Sequence, residues 1–153
     1  MKTFLVKGKK PLICWGKLPN ETYFEGEVPE GFSLAVSPWG YDNYVIIDVD
    51  KHGDESGFDN IPKHLEKELA GTLNYKTKND GMHFWFKYTG NEELANKSSK
   101  FGIDLRTNKG YVVWYRKDDI RDCMHLIKET SSELNIWLES LFGYKNRKNE
   151  NVI

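Results

Sequence analysis

Residues 44–50, Tyr44-Val45-Ile46-Ile47-Asp48-Val49-Asp50, decide how the rest of the chain is read. β-Branched and aromatic residues at this density make a buried strand. Side chains alternate faces along a strand, so Asp48 and Asp50 leave the same face while Val49 enters the opposite layer. A buried carboxylate without a partner costs roughly several kcal/mol after relaxation, so two together call for a cation. Carboxylate oxygens are hard ligands and suit Mg²⁺ or Mn²⁺. Alone the pair is unspecific, since phosphatases, sugar-nucleotide transferases, nucleases and polymerases all use strand-end Asp-x-Asp. The phosphatase pattern wants Thr two residues after the second Asp, where this chain has His52. Asp48, Asp50, Gly53 and Asp59 also fit the spacing of a calcium loop, but His52 takes a ligand position and a strand precedes it.

The 153 residues, 39% hydrophobic and 14% aromatic, suffice for one domain with a single good core. A net charge of −1 excludes binding to a polyanion through a strong global field, so any nucleic-acid contact must be local. Cys14 and Cys123 have neither metal-ligand spacing nor a disulfide framework and read as core thiols in a reducing compartment. The opening MKTFLVKGKK has only Phe4 to Val6 as an apolar run, and no stretch approaches membrane-spanning length. The expectation is a soluble, cytoplasmic protein with no membrane partner.

Upstream of the acid strand, Lys7, Lys9 and Lys10 are candidate phosphate contacts beside Pro11–Trp15, read as an edge strand opened by its proline. A loop-rich section follows, then a strand at Ser33–Val36. Downstream, a polar loop at 51–57 precedes a helix begun at Asp59 or Asn60, with Leu65 and Leu69 inward and Gly71 as its stop. Leu73–Thr77 and Met82–Tyr88 form a hairpin about Lys78-Asn79-Asp80-Gly81. In its second strand His83, Trp85 and Lys87 share one face, and Met82, Phe84, Phe86 and Tyr88 the other. After a polar connection a second hairpin is expected, Phe101–Arg106 with Tyr111–Tyr115, which puts Asp104 and Arg106 on one face. A helix then runs from Asp118 or Asp119 to about Lys128. A capping box at Thr130–Glu133 opens an amphipathic helix whose stripe is Leu134, Trp137, Leu138, Leu141 and Phe142. His52, His64 and His125 belong to no pattern.

Asp48-Val49-Asp50, Gly81-Met82-His83 and Gly102-Ile103-Asp104-Leu105-Arg106 stand in order, with Gly110-Tyr111-Val112-Val113 behind them. Together they resemble the bifunctional primase-polymerase (prim-pol) domain of the archaeo-eukaryotic primase superfamily, in the form found in phages, plasmids and other mobile elements. The resemblance covers about residues 8 to 143, from Gly8-Lys9-Lys10-Pro11 through the closing helix of Trp137-Leu138. It departs from the family at Asp80 and Lys109, where glycines are expected, and at Trp114-Tyr115, where small residues and prolines are common. It implies an α+β fold. The chain is expected to divide into one domain over residues 1–143 and, from its composition, a polar basic tail over 144–153 carrying Lys145, Arg147 and Lys148. A mostly antiparallel, RRM-like sheet would carry the acids, with helices packed against it and two helices at the C-terminus.

The activity implied is template-dependent primer synthesis and extension by two-metal nucleotidyl transfer. Asp48, Asp50 and Asp104 would hold two Mg²⁺ or Mn²⁺ ions and form the catalytic centre. His83, Gly81 and Arg106 would meet the incoming NTP or dNTP, although Arg106 can equally pair with Asp104. The partners implied are a single-stranded DNA template, its primer, and a separate helicase or helical accessory subunit, in the host cytoplasm if the chain is phage-encoded. Two other readings use the same residues: a non-catalytic nucleotide- or nucleic-acid-binding replication accessory protein, and a metal-dependent nuclease. Three like charges serve no purpose in the first, and the Gly-Met-His segment serves none in the second.

Overall fold

The computed structural model describes residues 1–52, 55–99 and 101–144. In chain order the strands are β1 (Lys2–Lys7), β2 (Lys10–Pro11), β3 (Ser33–Ser37), β4 (Tyr44–Val49), β5 (Lys51–His52), β6 (Glu55–Ser56), β7 (Asn74–Lys76), β8 (Met82–Lys87), β9 (Lys97–Ser98), β10 (Ile103–Arg106), β11 (Val112–Val113) and β12 (Lys128–Glu129). The α-helices are α1 (Glu66–Ala70), α2 (Ile120–Cys123) and α3 (Ser132–Phe142).

The acid strand β4 lies at the centre of a six-stranded sheet ordered β12-β8-β4-β10-β9, with β7 also paired to β8. A four-stranded sheet, β11-β3-β1-β2, lies apart from it in pairing. Among the described strands only β12 with β8 is parallel, so the α+β, mostly antiparallel expectation holds. Alternation along β4 and β8 makes two cores. Val45, Ile47, Val49, Phe84 and Phe86 face Leu65 and Leu69 from the α1 region and Leu134, Leu138 and Phe142 of α3. Ile46, Tyr44 and Trp85 face the other way, toward Val36 of β3 and Val112 and Trp114 near β11. Helices therefore cover one face of the large sheet, and the second sheet covers part of the other. Asp48 shares the face of Ile46 and so opens between the two sheets.

Helix α3 matches the predicted stripe, with Leu134, Leu138 and Phe142 fully buried. Its cap is one residue later than the box suggested: Ser131 Oγ accepts from the Leu134 N–H at 3.2 Å. Thr130 instead extends β12 alongside β8, its N–H donating to the Lys87 carbonyl at 2.9 Å. Its hydroxyl accepts from the Thr89 N–H at 2.9 Å and donates to Asn135 Oδ1, so it does not cap the helix.

Several expectations need correction. The second hairpin does not form: β10 pairs with β4 and β9, while Val112–Val113 pairs with β3 in the other sheet. Alternation specifies a face and not a neighbour, and Thr107–Gly110 forms a turn after which the chain leaves the first sheet. Phe101 precedes β10 and is 39% exposed. The proline strand ends at Pro11, Trp15–Lys17 is a 3₁₀ turn, and Leu12, Ile13 and Cys14 are exposed. Cys123 is buried as expected. The helix after the acid loop is split into 3₁₀ turns at Gly57–Asn60 and Lys63–Leu65 and five α residues, because Pro62 interrupts it. The helix from Asp119 is only four α residues before a 3₁₀ turn and β12. The basic tail residues Lys145, Arg147 and Lys148 lie outside the described residues.

Candidate active site

Strand register carries the site. Asp48 on β4 is opposite Asp104 on β10 and, on its other side, opposite His83 on β8. The row extends outward to Ser98 of β9, beside Asp104, and to Tyr75 of β7, beside His83. Directly paired residues in a ladder point to the same face, so Ser98, Asp104, Asp48, His83 and Tyr75 cross the sheet in one line. Asp50 stands just past the end of β4, where its N–H donates to the Gly102 carbonyl at 2.9 Å and its carbonyl accepts from Gly57 at 2.8 Å. Gly57 is required there, because a Cβ would overlap the Gly102 carbonyl.

Asp48, Asp50 and Asp104 each offer an oxygen within 4.8 Å of the others, a set that can hold a divalent ion. Electrostatics agrees with that use. Burial, and then the Asp48 charge, push the Asp104 carboxyl above the usual carboxylate range, while Arg106 and the Ser98 hydroxyl pull it back. The strain of like charges is thus only partly offset by the protein itself. Arg106 Nη2 is 3.9 Å from Asp104 Oδ2, a long pair that leaves the guanidinium on the wall of the cleft.

His83 is 5% exposed and its Nε2 lies 3.3 Å from Asp48 Oδ1. Its Nδ1 is 3.1 Å from the Tyr75 hydroxyl, which also accepts from Trp85 Nε1 at 3.1 Å. Burial holds the Tyr75 phenol well above its ordinary value.

The acids open into a cleft of about 430 Å³ between the two sheets. Asp48, Asp50 and His83 line it, with Asp104 beside them. Lys9, Lys51, Lys78, Arg106 and Lys109 supply positive charge around the same space. Trp15, Tyr111 and Tyr115 give it aromatic walls. Trp15 is fixed by stacking on Phe4 at 5.2 Å and by edge contact with Tyr111 at 5.3 Å. Tyr115 sits 6.2 Å from the His83 ring, and burial together with the Asp48 charge raises its phenol pKa.

All six residues singled out from sequence are therefore near one another: Asp48, Asp50, Gly81, His83 and Arg106 on the cleft and Asp104 next to it. Gly81 has a packing reason of its own, since a Cβ there would run into the Val49 carbonyl and come 2.9 Å from Thr77 Oγ1. Asp80, which replaces an expected glycine, takes φ 63°, a conformation that Asp tolerates better than most residues. Tyr75, Lys78, Asn96 and Tyr115 were not singled out. Of these Tyr75 was one residue out of reach: a turn over residues 78–81 would set Lys76 opposite His83, whereas Gly81 joins the ladder, its carbonyl accepting from the Thr77 N–H at 2.9 Å, and Tyr75 takes that place.

The family model for the N-terminal domain of bifunctional DNA primase/polymerases matches residues 21–117, well over half of the chain and all six of those positions. The chain belongs to that family. Membership implies nucleotidyl transfer with DNA and nucleotides as ligands and a dependence on metal, and the three clustered carboxylates of this prim-pol domain fit that dependence. Lys9 and Trp15 of the cleft precede the matched span. No curated protein matches the prim-pol chain. Among the described residues, no helix is long and apolar enough to cross a membrane.

Proposed function

We propose that the chain is a template-dependent primase-polymerase that adds an NTP or dNTP to a primer 3′-hydroxyl. The observation that carries this is the convergence of Asp48, Asp50 and Asp104 beside a cleft whose other charged walls are cationic. A pure metal buffer would not need the cations, and a pure anion site would not need the acids.

Asp48, Asp50 and Asp104 would hold two ions, Mg²⁺ or Mn²⁺, which when bound favour deprotonation of the primer hydroxyl and neutralise the leaving pyrophosphate. His83 presents Nε2 on the cleft side and donates to a phosphate oxygen. Arg106 forks phosphate or sugar oxygens, with Asp104 steadying it from behind. Gly81 lets the turn at residues 78–81 close on β4, so that Lys78 and the backbone of the turn flank the triphosphate. The catalytic domain is assigned to residues 1–143. The tail, residues 144–153, is assigned to template contact through Lys145, Arg147 and Lys148, and a separate helicase or helical accessory subunit is the proposed protein partner.

The test is primer extension on a primed single-stranded DNA template with Mg²⁺ or Mn²⁺ and with each nucleotide type, beside the Asp48→Ala, Asp50→Ala double variant. Extension by the wild type that disappears in the variant is the expected result. Nucleotide binding without extension would replace the proposal with the accessory-protein reading. Shortening of the primer would replace it with the nuclease reading.

A further inference from the structure

Tyr75 is 7% exposed, lies behind His83, and is not among the residues that line the cleft. Its hydroxyl is approached from two sides, by Trp85 Nε1 and by His83 Nδ1, each at 3.1 Å. An indole N–H can only donate, so the phenol oxygen accepts from Trp85. The phenol proton is then directed to His83 Nδ1, which must accept and therefore carries no proton. That assigns the imidazole proton to Nε2, the nitrogen 3.3 Å from Asp48 Oδ1. The opposite tautomer would aim two donors at one phenol oxygen and place the lone pair of Nε2 against a carboxylate. It would also leave the phenol proton in the core without His83 as its acceptor, which folded interiors avoid.

We propose that Tyr75, oriented by Trp85, is the positioning residue that sets the His83 tautomer, so that the Nε2–H edge is the one turned to Asp48 and to a nucleoside triphosphate. The triphosphate half of this rests on the primase-polymerase reading, and the tautomer half does not. Tyr75 never touches the nucleotide. Its effect is carried through one ring, whose orientation is set by the hydrogen bond at its far nitrogen.

The experiment uses the full chain with ¹⁵N-labelled histidine, without metal or nucleotide, at a pH of about 8, above the ordinary imidazole range. Long-range proton–nitrogen spectra, with His83 assigned by His83→Gln, should show a single Nε2–H tautomer in the wild type and a mixture in Tyr75→Phe. Calorimetric titration with a deoxynucleoside triphosphate and Mn²⁺ should show affinity about tenfold weaker in Tyr75→Phe, the low end of what loss of such a supporting bond costs. A wild-type His83 that is mixed or Nδ1–H overturns the proposal, and this measurement stands even if Tyr75→Phe does not fold. An unchanged spectrum in the variant, or a changed spectrum with unchanged nucleotide affinity, overturns it as well. Primer extension by the wild type is scored separately: its failure removes the polymerase reading, while the spectra and the titration still decide the role of Tyr75.

Discussion

Asp104 on β10 faces Asp48 on β4 directly across the antiparallel ladder, two carboxylates on one side of the sheet. Like charges directly opposite each other destabilise a sheet, by about 0.2–1 kcal/mol for such a pair. Burial adds to this, and the Asp104 carboxyl is held above its ordinary value. A folded pKa above the unfolded one means that the folded chain binds the proton more tightly. Stability is then present below the ordinary carboxylate value and lost as pH rises from there through the raised value. Asp104→Asn should therefore raise the melting temperature of the metal-free protein by about 1–4 °C at neutral pH. The gain should shrink toward zero below about pH 3.5, where both states are protonated. Calorimetric melts at the two pH values check this. The same variant should lose most of the thermal shift that Mn²⁺ produces in the wild type, because one of three ligands has lost its charge.

Gly81 tests whether the turn before His83 is shaped by packing. A Cβ at Gly81 meets the Val49 carbonyl, which is backbone and cannot move without disturbing the end of the acid strand. Gly81→Ala should cost about 1–3 kcal/mol, the range for overpacking. For a domain of this size that is a fall of about 2–12 °C in melting temperature. Gly16→Ala is the control, since nothing lies within 4 Å of a Cβ there. Equal melting temperatures for the two variants would remove the packing role of Gly81.

These two cases show what could be read without coordinates. The acid strand, the faces of β8 and the stripe of α3 follow from alternation and helical spacing, so both the core and the direction of the acids were legible. The hairpin of β7 and β8 was legible too, though not its register, which a turn over residues 78–81 would place one residue away from the observed pairing of Tyr75 with His83. Partners set by long-range pairing were not. Val112–Val113 carries the same β-branched signal whether it pairs with β10 or with β3, and only the shape of the assembled sheets decides between them. For the same reason the cleft walls given by Lys9 and Trp15, far away in sequence from the acids, could not be assigned to the site as a group. Tyr115 was expected to end a strand, yet it lies past the end of β11, 41% exposed on the cleft.

Arg116 and Asp118 give a pH effect of the opposite sign. The guanidinium meets the carboxylate with two bonds, Nε to Oδ1 at 2.8 Å and Nη2 to Oδ2 at 2.7 Å. Arg116 holds the Asp118 carboxyl well below the usual range. Stability from this pair is present above the unfolded carboxylate value, about 3.9, and is lost as pH falls through the depressed folded value. Asp118 is 43% exposed, so solvent screening keeps the contribution within about 1 kcal/mol. Asp118→Asn should lower the melting temperature by no more than about 4 °C at pH 7. The two proteins should converge as the pH falls through the depressed folded value, where the wild-type carboxyl also protonates. A difference that persists undiminished there would mean that the side chain acts through packing and not through its charge.

Lys9 separates the cationic wall of the cleft from the basic N-terminal segment in general. Its carbonyl accepts from the Tyr111 hydroxyl at 2.8 Å, so the backbone is tied to the aromatic wall whatever side chain the residue carries. Removing the ammonium should therefore leave the fold intact and change only what the cleft binds. Lys7 is the matched control: it does not line the cleft, and its Nζ lies over the Phe32 ring at 6.0 Å. A solvent-accessible charge contact contributes about 0.2–1 kcal/mol, so Lys9→Ala should weaken nucleoside triphosphate binding about 1.5- to 5-fold. The loss should narrow at high salt, because screening already removes part of the interaction in the wild type. Lys7→Ala should leave affinity unchanged at every salt concentration. Equal losses in the two variants would mean that a diffuse basic field, and not the placement of Lys9 on the cleft, attracts the nucleotide.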